Sequence, residues 1–491
     1  MSDILNIGSR REVFWDDFII DSQKTTTELR SCELGERETV FKFDKPWDIT
    51  CISYPGIVKE PDGFKLYYVS HTMESKPDGS PYDVLLCVLD SNDGVNWSRP
   101  SLGIYDYKGS TDNNIVMKVA DNFACFYDEN PACLPEEKYK AAASGKWIDD
   151  KYGLYLFTSP DGYHFKLARM MTNKGAFDTH NTLFWKDGKY ICYIRDYHER
   201  RQTAAYTQSE VDIAMQTPAT DGYTDLVRGI CVMYSEDCVN WTEPKPLEFT
   251  DGLDYPLYTN QVESYERAPH VFVGFPTRYI ERRKWSGNYE QMGGYERRWA
   301  FYNSKSPRTG LALTDTIFMC SRDGELWYRY NDSVLKPGYE HEHNWVYGDC
   351  FPAYKLVDSG DWFYNVYEIG YHRTYNRKIA PPLYRMKIRK DGFACQYAGG
   401  EERVLVTKPL IFEGNELHLN FETSAYGYII VDVLDEDGNK LSEGESFEVF
   451  GNNIDRRVMF EDGNGFAAFA GKPVRLRFRM RDAKIYSMKF E

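Results

Sequence analysis

The sequence predicts an all-β protein, a five-bladed β-propeller followed by a small C-terminal β-sandwich. Three observations predict it. One short turn motif recurs five times, at intervals of about 70 to 85 residues, as repeated structural units require. Apolar and polar residues alternate in short runs, and no run sustains a helical period. The stretch from about residue 405 keeps the alternation but lacks the turn, which marks a separate domain.

The turn reads Ser91-Asn92-Asp93-Gly94-Val95-Asn96-Trp97 in its first copy and Ser159-Pro160-Asp161-Gly162-Tyr163-His164-Phe165 in its second. Ser235-Glu236-Asp237-Cys238-Val239-Asn240-Trp241 and Ser321-Arg322-Asp323-Gly324-Glu325-Leu326-Trp327 follow, and Arg389-Lys390-Asp391-Gly392-Phe393 is a degenerate fifth. An apolar strand-like run precedes each. The Asp caps backbone N–H groups across the turn, the Gly takes a positive φ, and the aromatic folds back beneath. Asp93, Asp161, Asp237, Asp323 and Asp391 are therefore structural residues at hairpin tips.

In chain order, residues 12–20 read as a lone strand ahead of the first repeat, placed to close the ring beside the last blade. The first blade runs from about Trp47 to residue 100, with strands over 49–58, 64–69 and 84–88 and turns at Pro61-Asp62-Gly63 and Lys76-Pro77-Asp78-Gly79. The second covers about 113–170. The third opens at Phe177 and holds the sharpest hairpin, 180–185 and 190–194 joined through Asp187-Gly188. The fourth begins near Leu257 and is interrupted over 277–309 by a segment rich in Arg and Trp, long enough to be functional. The fifth uses 349–356, 362–368 and 383–388. Residues 1–404 thus form the propeller and 405–491 the sandwich.

A formal net charge of −16 argues against nucleic acid and anionic membranes as partners. No apolar stretch is long enough to span a bilayer. The 11 cysteines are odd in number, scattered and without a CxxC pair, which fits core residues in a reducing compartment. The amino terminus lacks a basic segment followed by an apolar one, so a cytoplasmic location is expected. Aromatics make up 16% of the chain, which suits pleated β-surfaces and sugar-binding faces alike.

In a propeller the first strand of each blade lines the axial channel, so polar residues distant in sequence converge there. The candidates are Asp48 and Tyr54 in the first blade, Asp121 and Asn122 in the second, and Asp178, His180 and Asn181 in the third. The fourth contributes Asn260, Glu263, Glu266, Arg267 and His270, and the fifth Asp349. Acids around one axis suit glycosidic bond cleavage, in which one carboxylic acid protonates the leaving oxygen and a second carboxylate attacks C1 or activates water. Arg267 and Arg278 are candidates to grip a substrate carboxylate. Glu340-His341-Glu342-His343 alternates its histidines and acids and reads as a solvated loop; no metal and no cofactor is expected.

A five-bladed propeller joined to a C-terminal β-sandwich resembles the β-fructosidase and invertase clan (glycoside hydrolase family 32/43-like), and the propeller alone is similar to arabinanases and β-xylosidases. The best local match is Phe177-Asp178-Thr179-His180-Asn181-Thr182-Leu183-Phe184-Trp185, which resembles the invertase Arg-Asp-Pro segment and implies a transition-state stabiliser at Asp178. Register with the family's nucleophile segment falls on Ser53-Tyr54-Pro55-Gly56-Ile57, with Asp48 as the nearest acid. The acid/base position falls on Gln261-Val262-Glu263-Ser264-Tyr265, without the family's Cys-Pro.

The resemblance and the inner-strand acids together imply a glycosidase that removes a terminal sugar from an oligosaccharide or glycoside. Asp48 is its expected nucleophile or base, Asp178 its stabiliser and Glu263 its acid/base. The substrate-binding set is Tyr54, Asp121, His180, Asn181, Asn260, Arg267, His270, Arg278 and Asp349. Two alternatives stand beside it: a non-catalytic carbohydrate-binding propeller, and a phosphorolytic mannoside-type enzyme. The expected partner is a small carbohydrate; sugar identity, stereochemistry and any homo-oligomeric state are left open.

Overall fold

The computed structural model describes residues 4–48, 51–71, 84–199, 226–282, 285–303, 308–371, 379–460 and 465–491. The expected turn over residues 76–79 lies outside them, as do Arg283 and Lys284. The chain divides into two compact units, one made of Leu34–Ser264 and Phe272–Lys387, the other of Met1–Glu33, Tyr265–Val271 and Ile388–Glu491.

The first unit is a five-bladed β-propeller. Its first blade pairs Cys51–Glu60, Gly63–His71, Val84–Ser91 and Ile115–Val119 in that order. The second uses Ala124–Tyr127, Tyr139–Ile148, Lys151–Ser159 and Lys166–Thr172, and the third Thr182–Lys186, Lys189–Glu199, Leu226–Ser235 and Lys245–Pro246. The fourth stacks Glu263–Ser264, Phe272–Gly274, Ala312–Ser321 and Leu326–Leu335, with Glu248–Phe249 parallel at its outer edge. The fifth pairs Val357–Asp358, Phe363–Ile369 and Pro382–Arg389, then takes its outermost strand, Glu38–Lys42, from near the start of the chain.

The ring is thus closed by Glu38–Lys42 and not by residues 12–20. Within the latter, Glu12–Val13 pairs with Arg475–Phe490 in the second unit, and Phe14, Ile19 and Ile20 sit in that unit's core. The apolar character that made 12–20 look like a strand comes from core burial. The true closing strand, Glu38-Thr39-Val40-Phe41-Lys42, is short and largely exposed, and what identifies it is its pairing with Pro382–Arg389. The segment expected as a long loop over 277–309 contains a strand, Thr277–Glu281, and helices at Gly287–Gln291, Tyr295–Tyr302 and Arg308–Leu311.

The recurring turn has one hydrogen-bond plan in four copies. In the first, Asp93 Oδ1 accepts from the N–H groups of Val95 (2.8 Å) and Asn96 (2.7 Å), and Ser91 Oγ donates to it at 3.0 Å. Asp161, Asp237 and Asp323 repeat this. The turn also latches blade to blade. Tyr67 of the first blade donates its hydroxyl to Gly162 O of the second-blade turn (2.7 Å), and Tyr193 of the third to Gly324 O of the fourth-blade turn (3.0 Å). Tyr367 of the fifth blade donates to Gly94 O, so the same latch operates where the ring closes.

The glycine is required twice over at position 324. Its φ is +81°, and a Cβ there would lie 2.7 Å from the Tyr193 hydroxyl. Gly324→Ala is expected to destabilise the propeller by roughly 2 kcal/mol, read as a lowered denaturation midpoint, because a positive φ and a lost latch act together.

The second unit is built on the long pair Leu417–Leu434 and Arg475–Phe490, which extends into an eight-stranded sheet. Leu5–Gly8 runs parallel to Leu410–Phe412 beside it. Its core includes Leu417, Leu419, Val431, Phe478 and Phe490. This unit is the expected sandwich, and it also recruits the first 33 residues and Tyr265–Val271.

Candidate active site

The propeller axis is filled. Ile57 N–H donates to Tyr354 O and Tyr354 N–H to Pro55 O, each at 2.9 Å, so the first strand of blade one is bonded directly to the start of blade five. His180 is fully buried between Tyr54 and Tyr354, with ring centroids 6.0 and 5.9 Å away, and a Cβ on Gly56 would lie 3.5 Å from its ring. Burial pushes the His180 imidazole down to about 4, so it is neutral near pH 7 and serves as packing on the axis.

Beside this plug lies a cluster of buried tyrosines, taken with the acids next to it as the candidate site. Tyr54 sits at a β-bulge with φ +51°, a local strain that turns its ring inward, and its hydroxyl donates to Asp178 O at 3.2 Å. It forms one apolar cluster with Tyr258, Tyr279, Ala312 and Phe351, against which Tyr347 packs. Tyr258 stacks on Phe351 (5.2 Å) and Tyr279 (6.0 Å), and Tyr347 bonds to it through their hydroxyls.

Two carboxylates lie near this cluster. Asp178 is 54% exposed and ion-paired with Arg195 Nη1 at 3.0 Å. Arg195 is itself buried, donates to Tyr258 O and lies 4.0 Å over the Tyr258 ring, so Asp178 is held on a rigid base. Asp121 is 37% exposed and lies 3.9 Å from His71 Nε2, which is 3.2 Å from Ser53 Oγ. The two acids share a neighbour: burial and then the charges of Asp178 and Asp121 push the Tyr152 hydroxyl up from its ordinary value. Burial, with the nearby Tyr258 and Asp121, likewise pushes the Tyr54 hydroxyl well above its ordinary value, so it stays protonated and is no nucleophile at neutral pH.

Other expected site residues are used elsewhere. Asp48 is sealed beneath the first blade, accepting from Tyr68 (2.9 Å) and Arg99 (2.6 Å); burial pushes its carboxyl up to about 6 despite the guanidinium. Glu263 is buried and accepts from Leu356 N–H at 2.7 Å, with Lys355 Nζ at 3.7 Å. Both are buried and partnered. Asn181 is consumed by Phe177 O, Thr179 O and Arg195 N–H, and Asn260 by Thr182, His180 O and Tyr193 O.

Arg267 and His270 belong to the second unit, where they pair with Asp391 (2.8 Å) and Glu12 (3.3 Å). Arg278 forms a fork on Asp315, 2.7 and 2.6 Å, and so does not reach for a ligand carboxylate. Asp349 lies between Tyr347 and Phe351 in sequence but is buried; burial and the Glu368 charge push its carboxyl up to about 7. His343, expected in a solvated loop, is also buried.

Sequence reasoning missed Arg195, Arg228, Tyr258, Tyr279 and Tyr347. Arg195 and Arg228 sit on the second and third strands of blade three, which were read for alternation only, and the tyrosines lie in irregular segments. The only available signal was the aromatic richness of the chain.

No family model matches the sequence, and no curated protein matches it. Solved structures similar in fold include a family 43 arabinoxylan arabinofuranohydrolase from Bacillus subtilis, at 10% identity over 90% of this chain and 96% of that one, with a TM-score of 0.36. A family 32 β-fructofuranosidase from Bombyx mori shares 8% identity over 92% and 94%, with a TM-score of 0.39. An N-acetylgalactosamine deacetylase from F. plautii shares 12% over 94% and 95%, with a TM-score of 0.37. At such scores the likeness carries no argument about the site, and the propeller rests on its own strand order.

Proposed function

We propose that the protein is a glycoside hydrolase that removes a terminal sugar from an oligosaccharide or glycoside, with Asp178 and Asp121 as its working carboxylates. The observation that supports this is their common setting: two solvent-accessible acids from neighbouring blades, Asp178 exposed and Asp121 half-buried, bear on one tyrosine beside a cluster of aromatic rings. Asp178, fixed by Arg195, acts on the anomeric carbon or its attacking water, and Asp121, with His71 beside it, delivers the proton to the leaving oxygen.

A panel of 4-nitrophenyl glycosides and short oligosaccharides tests the reading. Turnover on one class, lost in Asp121→Asn at unchanged thermal stability, is the expected result. The sequestration of Asp48 and Glu263 favours a second reading, a carbohydrate-binding propeller without catalysis. Saturable sugar binding with no product on any member of the panel would decide for it.

A further inference from the structure

We infer that Cys32 and Cys395 form a redox-active dithiol, a site where a low-molecular-weight disulfide such as oxidised glutathione is reduced and a protein disulfide closes. Both residues belong to the second unit, and the inference stands apart from the glycosidase reading.

The fold brings the two cysteines together from distant parts of the chain. Glu28–Ser31 is the edge strand of the eight-stranded sheet and runs antiparallel to Ala394–Ala398, with Ser31 opposite Ala394 and Arg30 opposite Cys395. Cys32 N–H donates to Phe393 O at 2.9 Å, which carries the register one residue further. Cys32 therefore stands opposite Phe393, and Cys395, two residues on, lies diagonally across from it on the same face. The two thiols meet there, with the Cys395 S–H donating to the Cys32 sulfur. Cysteines on one face of adjacent strands, with their sulfurs hydrogen-bonded, are placed to form a disulfide.

Their surroundings divide the two roles such a pair needs. The hydrogen bond from Cys395, helped by the charges of Lys484 and Arg389, outweighs burial and Glu422 and pulls the Cys32 thiol below its ordinary value. The same bond, with burial, pushes the Cys395 thiol far up, so Cys395 keeps its proton while Cys32 is the nucleophile. Lys484 donates to Glu422 at 2.7 Å, and the Arg389 guanidinium lies 4.8 Å over the Tyr486 ring, which fixes both cations. Cys32 is half-buried and within reach of solvent, whereas Cys395 is buried. By contrast, burial pushes the thiols of Cys87, Cys125, Cys192 and Cys350 well up. The Cys32 thiolate attacks one sulfur of the small disulfide, forming a mixed disulfide and expelling one thiolate. The Cys395 sulfur then attacks the Cys32 sulfur, closing the Cys32–Cys395 bond and expelling the second thiolate. The two protein protons end on the two released thiols, so two protein thiols are oxidised and one disulfide is reduced. The new bond fastens an edge strand to its sheet.

The test incubates the intact, folded wild-type chain with excess oxidised glutathione, quenches it with acid, alkylates the remaining thiols and maps the peptides by mass spectrometry. A peptide cross-linked through Cys32 and Cys395 should dominate the oxidised sample and vanish on treatment with dithiothreitol. In Cys395→Ser the resolving thiol is gone, so Cys32 should accumulate as its glutathione adduct. With iodoacetamide on the reduced, folded wild type at pH 7, Cys32 should react about tenfold or more faster than Cys133, which is also half-buried but whose thiol burial pushes up. The cross-link and this rate are read on the wild type, so the test stands even where a variant fails to fold. Absence of the Cys32–Cys395 peptide, or its presence at no more than the level of links among the other cysteines, overturns the inference. So does a Cys32 alkylation rate no greater than that of Cys133.

Discussion

Asp178→Asn should lower kcat by about 10²- to 10⁴-fold on whichever glycoside the protein cleaves, the range for removing a positioned carboxylate from the chemical step. The amide keeps one oxygen to accept from Arg195, so the local arrangement is retained while the charge is lost. The loss should therefore fall on kcat more than on KM. Some thermal stability should go with it, because the Arg195 guanidinium is buried and Asp178 is its carboxylate. Assays well below the unfolding midpoint separate the two effects. Asp48→Asn is the matched control: Asp48 is sealed with Tyr68 and Arg99, so its substitution should move the unfolding midpoint and leave turnover in place. The opposite pattern, full turnover in Asp178→Asn and a dead Asp48→Asn, would return catalysis to the buried acid.

The same contrast shows how far a sequence can be read. Four of the five turns were legible because their chemistry is local: Asp93 and its three counterparts bond to N–H groups two and three residues on, and a glycine or, at Cys238, an equivalent takes the positive φ. Counting strands back from them reached Asp121, Tyr54 and Asp178 at the tyrosine cluster. It also reached Asp48 and Glu263, because an inner-strand acid looks the same whether it faces the channel or not. What removes Asp48 from the site is Arg99, which lies 51 positions away, and what removes Glu263 is a backbone N–H 93 positions away. Neither partner is marked in sequence. The closing strand was missed for a related reason, since Glu38–Lys42 earns its place only by pairing with Pro382–Arg389 across the whole propeller.

The fifth turn departs furthest from its sequence, and Asp391→Asn should reveal by how much. Asp391 looks like the Asp of a hairpin tip, yet its side chain is fully buried in the second unit. It accepts from Arg267 Nε and Nη2 (2.8 and 3.1 Å), Tyr265 (2.5 Å), Ser487 (2.6 Å) and Asn420 (3.0 Å), with Arg11 Nη1 at 3.4 Å. Four separate stretches of chain meet on this carboxylate: the amino terminus, 265–271, and each of the two long strands Leu417–Leu434 and Arg475–Phe490. Burial alone would raise its pKa, but Arg11, Arg267 and the hydrogen bonds outweigh burial and hold it at about 2.

Because the folded-state value lies below the ordinary 3.8, the charge contributes stability that is fully present above about pH 4 and is lost as pH falls towards 2. The φ at Asp391 is +61°, a conformation Asn adopts as readily as Asp, so Asp391→Asn removes the charge with little backbone strain. It leaves two guanidiniums without their shared anion and is expected to cost roughly 3–5 kcal/mol, read by chemical denaturation near pH 7. The variant should also lose the part of the wild type's destabilisation between pH 4 and pH 2 that Asp391 contributes, while the turn aspartates such as Asp93 and Asp161, also held below their ordinary value, keep theirs. A variant that unfolds at the wild-type denaturant concentration, with the acid limb of the wild-type profile intact, would show that the buried ion pair contributes nothing to the unit it joins.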